Sequence, residues 1–187
     1  MDSFRIAGIA GSLRRGSFNR AALRAAQALT PEGVALQTVE ISALPLYNED
    51  LEKPLPAAVA AFKDAIRGAD AVLICTPEYN YSVPGVLKNA IDWGSRPYGE
   101  SAWAGKPVAL LSASPGALGG ARAQYHLRQS FVFLDMLPVN QPEVMIARAH
   151  EKFDEQGTLK DETAKKLIRQ LLQNLVDWSR RVGHGRA

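Results

Sequence analysis

A single cysteine, Cys75, in 187 residues excludes an internal disulfide and leaves too few thiolates for an iron–sulfur cluster within one chain. A phosphatase-type cysteine would need an arginine six residues further on, and Tyr81 stands there. Cys75 therefore reads as a buried strand residue. Three histidines, His126, His150 and His184, lack metal-ligand spacing and read as surface or helix positions, so no metal is expected. No apolar run approaches the length of a membrane-spanning helix. No Lys/Arg block is dense enough for a nucleic-acid arm, and the net charge is only +3. The first residues enter a strand-like segment without a signal-peptide pattern. The expectation is a soluble cytoplasmic protein with no nucleic-acid partner and no membrane insertion. Its 47% hydrophobic and 22% charged residues are ordinary for a globular chain, and the length suits one domain over 1–187.

What is present begins at Phe4. An apolar run to Ala10 suits a buried strand. It breaks at Gly11 into Ser12-Leu13-Arg14-Arg15-Gly16-Ser17-Phe18-Asn19, and a helix-forming stretch follows from Arg20 to Leu29. A strand, a loop of small, hydroxylated and basic residues, and a helix start make an anion site. The first helix amides lack intrahelical partners, and the dipole adds positive potential. The dinucleotide fingerprint fails, because Ala10 stands two residues after Gly8 where glycine is required. The Walker spacing is met by Gly11 and Gly16, but Ser17 and Phe18 follow where Lys and Ser/Thr belong. What remains suits a phosphate monoester such as that of FMN.

Strand-like and helix-like segments then alternate, which predicts a parallel α/β sheet. Val34 to Ile41 reads as a strand near an edge. Residues 43–54 form an acidic loop, and a helix runs from Pro56 to Arg67. Ala71 to Cys75 reads as a central strand, 86–93 as a helix, 94–105 as a polar loop and 107–112 as a fourth strand. A helix is expected over 121–134, and a fifth strand broken by Pro138 and Pro142 lies within 137–146. Residues 147–158 read as a mobile polar loop. A long amphipathic helix spans 161–182, with Leu167, Leu171, Leu175 and Trp178 on one stripe.

The loops 12–19, 76–83 and 113–120 each follow a strand. In a doubly wound sheet such loops meet at the carboxyl ends of the strands. The first suits phosphate. The second, with Pro77, Tyr79, Asn80 and Tyr81, offers a flat, partly aromatic wall. The third carries Ser114, Pro115 and Gly116 with Gly119-Gly120, so backbone can approach a planar ring. Phosphate at one end and a ring slot at the other describe FMN.

Those segments, above all Pro77-Glu78-Tyr79-Asn80-Tyr81-Ser82-Val83-Pro84-Gly85 with Lys88-Asn89-Ala90-Ile91-Asp92-Trp93, resemble the NADPH-dependent FMN reductase family over residues 4–146. Its members include quinone, chromate and azo-dye reductases. The resemblance implies a flavodoxin-like fold with a five-stranded parallel sheet in the order 2-1-3-4-5 and helices on both faces. It implies FMN as prosthetic group, NADPH or NADH as cosubstrate, a small-molecule electron acceptor and a homo-oligomer, either dimer or tetramer. The resemblance further implies that hydride passes from nicotinamide to flavin N5 and on to the acceptor, with no catalytic side chain required.

Carried over by position, Ser12, Arg14, Ser17, Phe18 and Asn19 hold the phosphate. Pro77, Glu78, Tyr79 and Asn80 border the ring, and Ser114 and Gly116 lie near the ribityl chain or ring. Arg15 and Gly16 fall at variable loop positions. Glu78 is open between capping the next helix and contacting flavin or a neighbouring subunit. Trp93 is expected to pack a helix end on the core. The 121–134 helix is either a solvated face or a subunit interface, with Arg96, Tyr125 and Glu143 as polar contacts. The rival class is a flavodoxin-type electron carrier without a nicotinamide site, which resembles acidic proteins more than this basic chain. A third reading keeps the fold without flavin.

Overall fold

The computed structural model describes residues 3–183. Strands β1 (Phe4–Ala10), β2 (Val34–Thr38), β3 (Ala71–Thr76) and β4 (Pro107–Ala113) pair in parallel, and all of β3 and β4 is buried. Two short strands, β5 (Leu137–Pro138) and β6 (Val144–Ile146), both pair with β4, so the sheet order is β2-β1-β3-β4-β5 with β6 beside β4. The expected fifth strand is therefore split. Proline lacks an amide hydrogen, and Pro138 and Pro142 bracket the break.

Helices α1 (Phe18–Ala28), α2 (Ala57–Arg67), α3 (Gly85–Ser95), α4 (Ala121–Leu134), the short α5 (Ala149–Lys152) and α6 (Glu162–Gly183) complete the chain. Alternate strand residues point to opposite faces. Ile6, Leu73 and Leu111 pack under α1 and α6; Ile9, Val72, Ile74 and Leu110 pack under α2, α3 and α4. The result is a helix–sheet–helix sandwich with a core on each face.

Three local readings change. Residues 147–158 are built in: Ala149 and Phe153 are buried, Phe153 forms a bridge with the buried Leu159 just beyond the segment, and the Phe153 ring lies 5.6 Å from Phe18. The buried stripe of α6 runs through Ala164, Ile168, Leu171, Leu172, Leu175 and Val176, which leaves Leu167 on its exposed flank. Trp103, expected in a polar loop, is buried against Gly94 and donates to the Ile91 carbonyl at 2.9 Å. An added Cβ at Gly94 would collide with the Trp103 indole ring.

Cys75 is buried, and burial pushes its thiol pKa upward. Trp93 is buried and donates to the Pro45 carbonyl at 2.8 Å. His126 and His150 are exposed, and His184 lies outside the described residues. Among the described residues no His/Cys/Asp/Glu cluster could hold a metal, and no helix is long and apolar enough to cross a membrane.

Candidate cofactor site

The turns after β1, β3 and β4 are joined at one rim by specific bonds. The Gly11 amide donates to the Cys75 carbonyl at 2.8 Å, which carries the β1–β3 ladder into the first turn. Asn19 spans from α1 to the end of β4. Its Nδ2 donates to the Ala113 carbonyl at 2.8 Å, and its Oδ1 accepts the Ala113 amide at 2.9 Å. Glu78 reaches from the second turn to the start of α4, where its Oε2 accepts the amides of Arg122 (3.0 Å) and Ala123 (3.3 Å). Gly120 closes the third turn onto the sheet. Its φ is +93°, and an added Cβ would stand 2.8 Å from the Ser112 Cβ.

The first turn gathers buried hydroxyls, a helix start and two arginines. Ser17 caps α1: its Oγ accepts the amides of Asn19 (3.2 Å) and Arg20 (3.4 Å). A hydroxyl that accepts still has its own hydrogen to donate. Ser12 is also buried, and its Oγ accepts the Arg14 amide at 3.4 Å. Arg14 and Arg15 are exposed above them. No Asp or Glu occurs between Phe4 and Pro31, so the turn carries no carboxylate of its own. The Phe18 ring packs on Phe153, which leaves its backbone amide as the first of α1 at the turn.

The second turn is a hairpin tip. The amide of Tyr79 donates to the Ser82 carbonyl at 3.1 Å, and that of Ser82 to the Tyr79 carbonyl at 2.9 Å. Asn80 and Tyr81 have φ of 50° and 66°. Pro77 is buried, whereas Tyr79 and Asn80 are exposed. The Arg122 guanidinium pairs with Glu78 at 2.7 Å and lies 3.6 Å from the Tyr81 ring centroid. Ser82 Oγ lies 3.0 Å from His126 Nδ1.

In the third turn Ser114 Oγ accepts the Gly116 amide at 3.1 Å. Gly116 is exposed, and an added Cβ would meet only Ser114 Oγ at 3.5 Å, so its surface is open to a flat ligand.

Two expected site residues work differently from their sequence reading. Asn19 was expected to offer its amide to phosphate, but both ends of that amide are committed to Ala113. It positions the first turn against the third. Glu78 caps a helix, but the helix is α4 rather than the adjoining α3, because the hairpin folds its carboxylate away from α3. The candidate interface residues are engaged within the chain. Tyr125 donates to Glu143 at 2.9 Å, which raises the Tyr125 pKa. Arg96 binds Glu52 at 2.7 Å and Glu49 at 3.1 Å. Sequence reasoning did not find Gln124. It is buried, and its Nε2 donates to Ser112 Oγ (2.8 Å) and the Val144 carbonyl (2.9 Å) beneath the third turn. A lone glutamine inside a helix carries no signal that could have marked it.

This fold and its loop-built rim define a flavodoxin-like α/β protein. Residues 4–151 match the model of the NADPH-dependent FMN reductase family, and the chain belongs to that family. It is 56% identical over 182 residues to an NAD(P)H-dependent FMN reductase of Pseudomonas aeruginosa, spanning 97% of this chain and 98% of that protein. It is 43% identical over 178 residues to a 2-hydroxy-1,4-benzoquinone reductase of a Burkholderia species, spanning 95% and 97%. FerB of Paracoccus denitrificans, a flavoenzyme NAD(P)H:(acceptor) oxidoreductase, superposes with a TM-score of 0.88 at 38% identity, over 95% of this chain and 98% of that one.

Proposed function

We infer that this chain is an FMN-dependent NAD(P)H oxidoreductase that reduces quinones. The observation that carries the reading is the tying of a carboxylate-free, helix-capped phosphate turn to an open glycine turn by the Asn19–Ala113 bonds. The donor set fits FMN. The Phe18 amide at the start of α1 and the hydroxyls of Ser12 and Ser17 hold the terminal phosphate in this reading, the Asn19 and Arg20 amides being committed to the Ser17 cap, and Arg14 adds fixed charge. Pro77, Glu78, Tyr79 and Asn80 border the ring, with Glu78 holding the hairpin through α4. Ser114 and Gly116 present backbone to the ribityl chain or ring.

FMN held by these turns would supply the hydride chemistry between NAD(P)H and the acceptor. The chain orients the partners and shields one face of the ring. Amides of the glycine-rich turn stabilise negative charge at its edge. Quinones are the principal acceptor class in this reading; chromate and azo dyes are further acceptors. The 187 residues act as one domain in the cytoplasm and assemble as a dimer or tetramer. The outer face of α4, where Val132 and Phe133 are 85% and 79% exposed, is the proposed contact. Light scattering tests the assembly, and a monomer mass rejects it.

Steady-state oxidation of NADPH by the FMN-loaded protein with a quinone present tests the activity. Turnover is expected. An electron carrier would take up FMN and show none, and a protein that stays colourless with FMN would have lost the cofactor.

A further inference from the structure

Arg148 lies two residues past the carboxyl end of β6, on the same rim as the three turns. Its backbone is left-handed, with φ 49° and ψ 48°. Glycine adopts that conformation at least cost, and a long side chain in it is uncommon. Strained positions of this kind cluster where a chain holds its ligands. Two backbone bonds fix the residue against the third turn. The Arg148 amide donates to the Gly116 carbonyl at 3.2 Å, and the Ala149 amide to the Ser114 carbonyl at 3.0 Å. Five residues further on, the Phe153 ring packs on Phe18 at the start of α1. The segment thus runs from the third turn to the first.

Packing within the chain does not explain an arginine at this place. The side chain is exposed and makes no hydrogen bond or ion pair among the described residues. The other arginines of the rim are already engaged. Arg122 is matched by Glu78 at 2.7 Å, and Arg14 and Arg15 stand over the first turn, which the proposed function gives to the FMN phosphate. The third turn, residues 113–120, has no charged residue of its own. NAD(P)H brings a diphosphate to this rim, and NADPH a further phosphate on its ribose. Guanidinium groups suit phosphate because they offer several donors and a permanent charge. Arg148 supplies both beside a turn that has neither.

We propose that Arg148 is a binding residue for the phosphates of the nicotinamide cosubstrate, held against the glycine turn by its left-handed backbone. This rests on the reading of the protein as an NAD(P)H oxidoreductase.

The test combines calorimetric titration of the FMN-loaded protein with NADP+ and NAD+ and steady-state kinetics with NADPH and NADH. It compares the unmodified chain with Arg148→Gln, Arg148→Lys and Arg148→Gly. Loss of a charge-assisted bond in Arg148→Gln raises the NADP+ Kd and the NADPH KM about tenfold, while FMN affinity moves less than about twofold. Arg148→Lys keeps the charge and restores part of the affinity. Glycine suits the backbone, so Arg148→Gly shows the same loss with no fall in its urea midpoint. A loss confined to NADP+ and NADPH assigns Arg148 to the ribose phosphate, and an equal loss for NAD+ and NADH assigns it to the diphosphate. Unmoved nucleotide affinities in Arg148→Gln and Arg148→Gly overturn the proposal. So does a parallel loss of FMN affinity, which would make the residue part of the flavin site or its support. A protein that binds NADP+ through Arg148 yet shows no turnover would keep this proposal and refute the oxidoreductase reading; a protein that binds neither nucleotide refutes both.

Discussion

The turns after β1 and β3 look alike in outline, each a strand, a short loop and a helix, yet they solve opposite problems. The first keeps its backbone relaxed and spends its side chains on polarity. Ser12, Ser17 and Asn19 are buried there, and the Ser17 cap has an extended φ of −72°. The second accepts positive φ at Asn80 and Tyr81 and cancels its charge internally through Glu78 and Arg122. An anion needs uncompensated donors held still. A flat neutral ligand needs a surface held at a set height. In the proposed reading, that difference is how one topology would supply both ends of an amphiphilic cofactor site.

The comparison is broken most severely by Asn19→Leu. That change leaves the buried amide and carbonyl of Ala113 without partners and detaches the first turn from the third. An unsatisfied buried group costs about 1–3 kcal/mol, so a loss of about 3 kcal/mol is expected in urea unfolding. A change below about 1 kcal/mol would mean that the tie is dispensable.

Next in size is Arg14→Ala, which removes fixed charge from the first turn only. FMN affinity should fall by about 1.5–3 kcal/mol, read by fluorescence titration. Unchanged affinity would assign the phosphate to amides and hydroxyls alone.

The smallest effect comes from a charge pair outside both turns and serves as their control. The Arg96 hydrogen bond holds the Glu52 carboxyl below its ordinary value of 4.5. Burial and the bond to Glu52 push Tyr47 up to about 12. A depressed carboxyl pKa stabilises the fold above the unfolded value, and that stabilisation is lost as pH falls through the folded one. Glu52→Gln should therefore weaken the fold slightly near neutrality and flatten its loss of stability below pH 4.5, with FMN affinity at neutral pH unaltered. An acid limb identical to that of the unmodified protein would deny the pair any role in stability.

Much of the fold was legible because its signals are local. The apolar runs of β3 and β4 have the buried-strand pattern, and helix α4 falls on 121–134 as expected. The first turn, proposed for the phosphate, could be picked out for the same reason: Gly11, Ser12, Ser17 and the helix start are neighbours in sequence. What escaped were relationships across distance. Asn19 meets Ala113 from 94 residues away, and Glu78 meets Arg122 from 44. Nothing in either neighbourhood marks the partner. Residues 147–158 were misread because their two buried anchors, Ala149 and Phe153, are separated by polar residues, and the partner that Phe153 bridges, Leu159, lies just beyond the segment. Leu167 was misread by phase, since the buried stripe of α6 is centred on Ile168, Leu171 and Leu175.

Paired fluorescence titrations of the protein with FMN and with riboflavin, which differ only in the phosphate, test the first turn most directly. FMN is expected to bind about a hundredfold more tightly, the equivalent of about 2.7 kcal/mol at the phosphate. Equal affinity for the two flavins would contradict the assignment of that turn to phosphate and, with it, the whole arrangement of the site.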